Sequence, residues 1–538
     1  LVLLWRSYEA FLANRYTDPD TLLDLAAQRL EESRPYAGAL LWIDGFAGFT
    51  PQEYRVLAAL FPQAREVTVA LCLDGEEVAL PAVEASLFAP TQETYARLRE
   101  LADRLKLEWE EVRLPAPGAS PGSDGRGKKA PPPRFREKAA LAHLEREFAR
   151  PRPRAFPGEP EGLCLVAAPD PWAEVAGAAA MLQRLARNGY RYREMAIIVR
   201  QLADYRPVLE LVLRAHGIPY FLDARRSALA HPLARLLLAA LEVVTEGWSA
   251  EAVFRCLKTD FWPFPRDAID RLENYVLACG IKGKDWRREE PWAFPAPPGA
   301  GCACGAKPAY FDGLRRQIVR LFGPLGEIKP GARLAGRAWL TALWQLLENL
   351  QAAATLERWQ EEATAQGAPD LAEEHGQVWQ GVLRLSEELV EVLGEELPTA
   401  EEFAALVRSG LEGLSLGLIP PSLDQVLVGE VERSRQPELR AAFVLGVNEG
   451  LFPARLSEEG LFGDAERETL SAYGVELAPS CRRRLFAEEF LAYIAFTRAR
   501  HFLWVSYTLA DAAGRPRRPS PLIARLRRHF PALAETTP

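Results

Sequence analysis

Residues 40–57, LLWIDGFAGFTPQEYRVL, change character twice, and the order of the changes decides the fold class. The apolar run Ala39 to Ile43 is a short strand signal that delivers one carboxylate, Asp44, to a strand end. After a brief loop, Thr50 stands as an N-cap, Pro51 at the first helical position and Glu53 three residues after the cap. That arrangement satisfies the free N–H groups of a helix start. The helix is expected to end near Phe61, and a second β-rich run, Val67 to Leu73, ends on Asp74. Strand, helix and strand with short connections predict a parallel, doubly wound α/β sheet whose functional loops lie at the carboxyl ends of its strands.

The same alternation returns later in the chain. Upstream of it, Asp18 to Glu32 sets Leu22, Leu23, Leu25, Ala26 and Leu30 on roughly one helical stripe. Between about Pro115 and Pro160 the composition shifts to Pro, Gly and charge, as in PAPGASPGSDGRGKKAPPPRFREK, which predicts a linker or exposed insertion. Strands at Leu163 to Ala167 and Met195 to Val199, helices at Trp172 to Asn188 and Leu202 to His216, and the run IPYFLD follow in alternation. From about Leu236 to Pro420 helical periodicity takes over, with Val378, Val382, Leu385, Leu389 and Val392 on one face. Strand signals resume at QVLVGEV and AAFVLGV, and a last helix, Ala487 to Arg500, leads into HFLWVSY. Segments 161–250 and 424–538 are therefore expected to share one parallel sheet, with 251–423 an inserted helical domain. Residues 1–115 form the remainder of a first α/β domain with a preceding helical segment, and 116–160 the linker or insertion.

With 538 residues, 48% hydrophobic and 26% charged, the chain is long enough for several domains of roughly 150 residues each. Its most apolar stretch, LARLLLAALEVV from Leu233, is too short to span a bilayer and carries Arg235 and Glu242, so no membrane partner is expected. The start at Leu1, with neither an initiator Met nor a signal-peptide pattern, reads as a piece of a longer protein. Seven cysteines and six histidines without CxxC or HExxH spacing suggest neither a disulfide framework nor a zinc site, which fits a reducing cytoplasm. Cys302 and Cys304, in GAGCACGAK, read as part of a Gly-rich flexible loop ahead of a metal site. The net charge of −8 disfavours a general basic coat for nucleic acid, but local fields decide binding. Arg482, Arg483 and Arg484, and the arginines between 515 and 528, among them Arg515, Arg517 and Arg518, are candidate phosphate contacts. The plainer reading of each run is a solvated charged face.

An ATP motor of this build needs a Gly-rich loop with Lys and Ser or Thr, a strand-end Asp for magnesium, an adjacent acid to polarise water, and arginines from a second sheet. No GxxxxGK[ST] occurs in the chain, and Gly45 stands where the water-activating acid belongs. From local sequence alone, Asp44 reads as a turn or cap residue, and Arg200 and Arg498 as solvated or salt-bridged charges.

In chain order, however, three stretches resemble UvrD-type superfamily 1 helicases. WIDGFAGFTPQE resembles the second helicase motif, with its acidic pair reduced to Asp44 and Gly45. Glu194 to Phe221, EMAIIVRQLADYRPVLELVLRAHGIPYF, is similar to the fourth-motif region, whose arginine corresponds to Arg200. Glu488 to Tyr507, EEFLAYIAFTRARHFLWVSY, looks like the sixth motif, whose arginine corresponds to Arg498. The B subunit of the AddAB (RexAB) helicase-nuclease is similar over more of the chain, from about Trp5 to Pro531, through IDGF, VGEVERSRQPELRAAFVLGVNEGLFPA and TRAR.

This resemblance implies RecA-like helicase domains, parallel sheets of the P-loop NTPase type, with a large inserted helical domain. It implies nucleotide-facing roles for Asp44, Arg200 and Arg498, partners in single-stranded or unwound DNA and an AddA-type helicase-nuclease subunit, and work in double-strand-break end resection. ATP and Mg2+ are what it implies for a longer protein; neither is expected on this stretch alone. Where active motors carry His-x-x-Lys-Gly-Leu-Glu, this chain has Glu432 to Glu438, ERSRQPE: the Lys-Gly turn is gone and Glu438 is about one residue out of register. The family's nuclease domain and iron–sulfur cysteines fall beyond the sixth motif, so no nuclease site is expected here. The competing readings are an ATP-hydrolysing UvrD-type motor whose phosphate loop lies upstream, and a non-catalytic scaffold that docks the partner helicase subunit.

Overall fold

The computed structural model describes residues 2–12, 18–73, 86–112, 133–135, 137–150, 152–223, 226–293, 308–416, 424–432, 439–455, 462–475, 477–478 and 480–538. The chain forms two compact units, one from Leu1–Asp223 with Leu423–Pro538 and the other from Ala224–Ser422.

In the first unit, β1 (Leu40–Ile43) and β2 (Glu66–Val69) pair in parallel through helix Pro51–Leu60. The predicted capping box is closed in both directions: Glu53 N donates to Thr50 Oγ1 at 3.2 Å and Thr50 N to Glu53 Oε2 at 2.6 Å. β2 is shorter than Val67 to Leu73 because its partner runs out; Ala70 N makes the last bond, to Ile43 O at 2.9 Å. Asp74 lies outside the described residues. On helix Leu22–Ser33 the predicted stripe is not the buried one: Leu22, Leu23 and Leu25 are exposed and Ala27 is buried.

The main sheet draws on both ends of the first unit. β3 (Leu163–Ala168), β4 (Met195–Val199) and β5 (Tyr220–Leu222) precede the second unit, within which β6 (Arg226–Ser227) and β7 (Ser415–Leu416) form a short antiparallel pair. β8 (Val426–Glu430), β9 (Ala441–Val444), β10 (Phe502–Thr508) and β11 (Glu535–Thr536) then complete seven parallel strands in the order β11-β3-β10-β9-β4-β8-β5. β4 lies between β8 and β9, with Ile197 opposite Val428 on one side and Phe443 on the other. Every residue of β4 and β9 is buried, as strands covered on both faces require.

Part of the expected linker is core. Phe135 and, on or just after helix Ala139–Glu147, Leu141, Leu144 and Phe148 are buried with Phe490 and Phe496 of helix Cys481–Phe496. Residues 113–132 of that stretch lie outside the described residues. The helical unit begins at Ala224 and not at 251. Helix Pro232–Thr245 buries ten residues and leaves only the narrow strip of Arg235 and Glu242 polar, so it has to lie deep in its unit. On helix Pro369–Leu393 the buried face runs through Val378, Val382, Leu385 and Leu389 to Leu393; Val392 is exposed, because the continuing step is four residues. Among the described residues no helix is long and apolar enough to cross a membrane.

Candidate nucleic-acid interface

The residues singled out from the sequence gather mainly at the carboxyl ends of β4, β9 and β10, the edge where open α/β sheets place their ligands. Arg200 directly follows β4. Its Nε donates to both oxygens of Glu488 at 3.0 Å, and its Nη2 contacts Glu432 Oε1 at 3.0 Å. Glu488, buried in helix Cys481–Phe496, also accepts from Ala454 N at 2.8 Å. The hydrogen-bonded Glu488 carboxylate raises the Arg200 pKa above its usual value, ahead of the opposing effect of burial. The arginine that the resemblance assigns to a nucleotide-facing role is thus engaged inside the protein.

Arg498 is not on a helix. The helix ahead of it runs over Cys481–Phe496, with Thr497 as its C-cap, because Arg500 N already donates to Leu439 O and Phe502 N to Arg440 O on the way into β10; it is not the last helix, since Pro521–His529 follows. Arg498 is partly buried in the turn between, where burial lowers its pKa and the charge of Arg134 adds to the effect.

Arg482, Arg483 and Arg484 lie in the first turn of that helix, not before it, behind the N-cap Ser480. All three are exposed, at the positive end of the helix dipole, so their charges and the dipole add to one local positive field. Arg483 reaches Glu93 of helix Ala89–Arg104 at 3.4 Å. Arg484 makes no ion pair among the described residues.

Arg515, Arg517 and Arg518 sit on a hairpin between β10 and helix Pro521–His529. Asp511 braces its tip: one carboxylate oxygen accepts from Ala513 N and Arg515 N at 2.9 Å, and the other from Arg515 Nε at 2.7 Å. Asn448, fully buried, braces its base, with Nδ2 donating to Thr508 O at 2.7 Å and Arg518 O at 3.0 Å while Oδ1 accepts from Thr508 N at 3.0 Å. Arg518 is exposed and carries no ion pair among the described residues.

Two organising residues at this edge were missed from sequence. Asn448 interrupts an apolar run, VLGVNEGLF, and a polar residue there was the available signal. Glu174 is fully buried on helix Pro171–Arg187; it accepts from Gly446 N at 2.9 Å, Ser506 Oγ at 2.6 Å and Tyr205 Oη at 2.6 Å. Burial raises its pKa, and those bonds oppose the rise. Gly446 is required here: it has φ +69, and a Cβ would stand 2.8 Å from Tyr205 Oη.

Asp44 is exposed after β1, and among the described residues it bonds only Gly45 N, at 2.7 Å. Gly45 has φ +79, a left-handed conformation that an acid at this position would occupy only under strain. One exposed carboxylate without an adjacent acid, with Arg200 held by Glu488 and Glu432, does not fit a magnesium–nucleotide site. No group of three or more metal-ligating side chains occurs among the described residues. Cys302, Cys304 and residues 433–438 lie outside them.

A family model described as ADDB, N-terminal, matches residues 1–145. Over all of its length the chain is 47% identical to the B subunit of the ATP-dependent helicase/deoxyribonuclease of Moorella thermoacetica and 46% identical to that of Desulforudis audaxviator, covering 46% of each. The corresponding B subunit of Desulforamulus reducens is 42% identical over 99% of this chain, which again covers 46% of it. The chain therefore spans about half the length of the curated relatives it matches. With that identity sustained from end to end, the chain is similar over its whole length to one stretch of these ATP-dependent helicase/deoxyribonuclease B subunits.

Proposed function

We propose that this stretch is the strand-binding part of a B subunit in a helicase-nuclease that resects double-strand breaks for recombinational repair, alongside an AddA-type subunit, and that it does not itself hydrolyse ATP. The observation that carries the reading is the division among the arginines. Arg200, the residue expected to face a nucleotide, is engaged by Glu488 and Glu432, whereas Arg484 and Arg518 stand exposed at the carboxyl edge. A single strand supplies regularly spaced phosphates for such cations, and bound counterions leave as they meet. The lone Asp44 beside a left-handed Gly45 supports the absence of turnover.

The direct test is binding of a fluorescent single-stranded oligonucleotide across a salt series, for the chain and for Arg482→Ala/Arg483→Ala/Arg484→Ala. Affinity is expected to fall steeply with salt, and the log–log slope to shrink in the variant by about 0.7 per lost phosphate contact. Unchanged slope and affinity would return these arginines to a solvated surface; no binding by either protein at low salt would favour the scaffold reading. ATP turnover is expected to stay at background with DNA present. Turnover near 1 per second, in the usual enzyme range and abolished by Asp44→Ala, would overturn that part.

A further inference from the structure

Trp172 stands in the first turn of helix Pro171–Arg187 with 51% of its surface exposed, although its helix neighbours Pro171, Glu174 and Val175 are buried. Tryptophan carries the largest apolar surface of any side chain and is ordinarily well covered. Among the described residues its ring makes no ring–ring or cation–π contact.

The backbone sets this residue beside the arginine hairpin. Leu509 N donates to Ala168 O at 2.8 Å and Ala510 N to Pro169 O at 3.0 Å, so the hairpin base is tied to the residues just ahead of the helix. Leu509 is itself 52% exposed. Arg517 N closes the hairpin on Leu509 O at 2.8 Å, and Asn448 and Asp511 fix its base and tip. Three nearby acids are engaged internally. Asp170 accepts from Ala173 N at 2.8 Å, Asp511 is bound by Arg515, and Glu174 is buried under three donors. Glu449 is exposed, and its N–H donates to Arg518 O at 3.0 Å.

We propose that Trp172 is a base-stacking residue for single-stranded DNA, with the neighbouring hairpin, Arg518 above all, meeting the phosphates. This rests on the strand-binding reading. An exposed indole face offers what an unpaired base lacks in water, and every base has such a face, so the contact is indifferent to sequence. In a duplex the base faces are already stacked, which makes the contact specific for single strands.

The test compares oligonucleotide binding by the 538-residue chain with that by Trp172→Ala, Trp172→Phe and Arg518→Ala, on single-stranded DNA and on a duplex of the same sequence. Trp172→Ala is expected to weaken single-strand binding by roughly 5- to 150-fold with an unchanged salt slope, Trp172→Phe to keep most of the affinity, and Arg518→Ala to reduce the slope by about 0.7. Photo-crosslinking to a bromodeoxyuridine oligonucleotide should mark the peptide containing Trp172. If the chain binds and Trp172→Ala binds equally well, the stacking role is wrong and strand binding stands. Equal losses on single strand and duplex also reject stacking. If the unaltered chain does not bind at low salt, both readings fall together.

Discussion

Arg200 and Glu488 hold each other within the fold. Their side chains are 17% and 4% exposed, so each is the other's main compensation for lost hydration. Glu488→Ala would leave a half-buried guanidinium with only Glu432 and the more distant Glu430 as counter-charges, and an unsatisfied Ala454 N–H. We expect about 3–5 kcal/mol of destabilisation, read as lost hydrogen-exchange protection around residues 198–202 and 486–496. Undiminished protection would mean that Arg200 is free for another partner. At Gly45 the backbone argues the same way. Gly45→Glu should cost about 1–2 kcal/mol of stability, because φ +79 strains any β-carbon, and should bring no ATP turnover. A variant of full stability with turnover would show that only the missing acid had silenced the site. The strand run ending in Arg200 is legible in the sequence. Its partner, 288 residues away, leaves no local signal.

Among the elements, helix Pro232–Thr245 carries a proton-sensitive tie. His231 caps it by accepting from Leu233 N through Nδ1 at 3.1 Å, so its Nε2 holds the proton and donates to His375 Nδ1 at 2.8 Å. Both rings are buried, with Trp359 packed on His375 and Glu374 the charged neighbour that partly offsets the loss of hydration there. Burial, reinforced by His375, lowers the His231 pKa from 6.5 to about 4. Above 6.5 the imidazole is neutral folded and unfolded. Between 6.5 and about 4 only the unfolded chain takes up the proton, so stability falls with pH, by about 3 kcal/mol in full. His231→Asn keeps a cap and removes the imidazole, and its unfolding should be less pH-dependent over this window; an identical profile would refute the tie. Element reading succeeded where chemistry is local, as in the Thr50–Glu53 capping box. It failed at Phe135, Leu141, Leu144 and Phe148, whose Pro- and Arg-rich surroundings hide a core that only long-range packing creates.

For the whole molecule, the interleaving of β8 and β9 around β4 brings residues from distant parts of the chain to one sheet edge. The β and α alternation on either side of a helical stretch made that sheet legible. The boundary at Ala224 was not, because Leu233 to Val244 suits a buried helix of either unit equally. Which arginines are already paired was invisible in sequence for Arg200 and Arg483, since Glu488 and Glu93 lie hundreds of residues away in the chain. The net charge of −8 demands that any phosphate contact be local, and the proposed place for it is the carboxyl edge of the seven-stranded sheet. Hydrogen-exchange mass spectrometry of the chain with and without a single-stranded oligonucleotide at low salt tests this most directly. Added protection is predicted in peptides covering 170–174, 482–486 and 509–519. Protection confined to 224–422, or none at a DNA concentration that saturates binding, would contradict it.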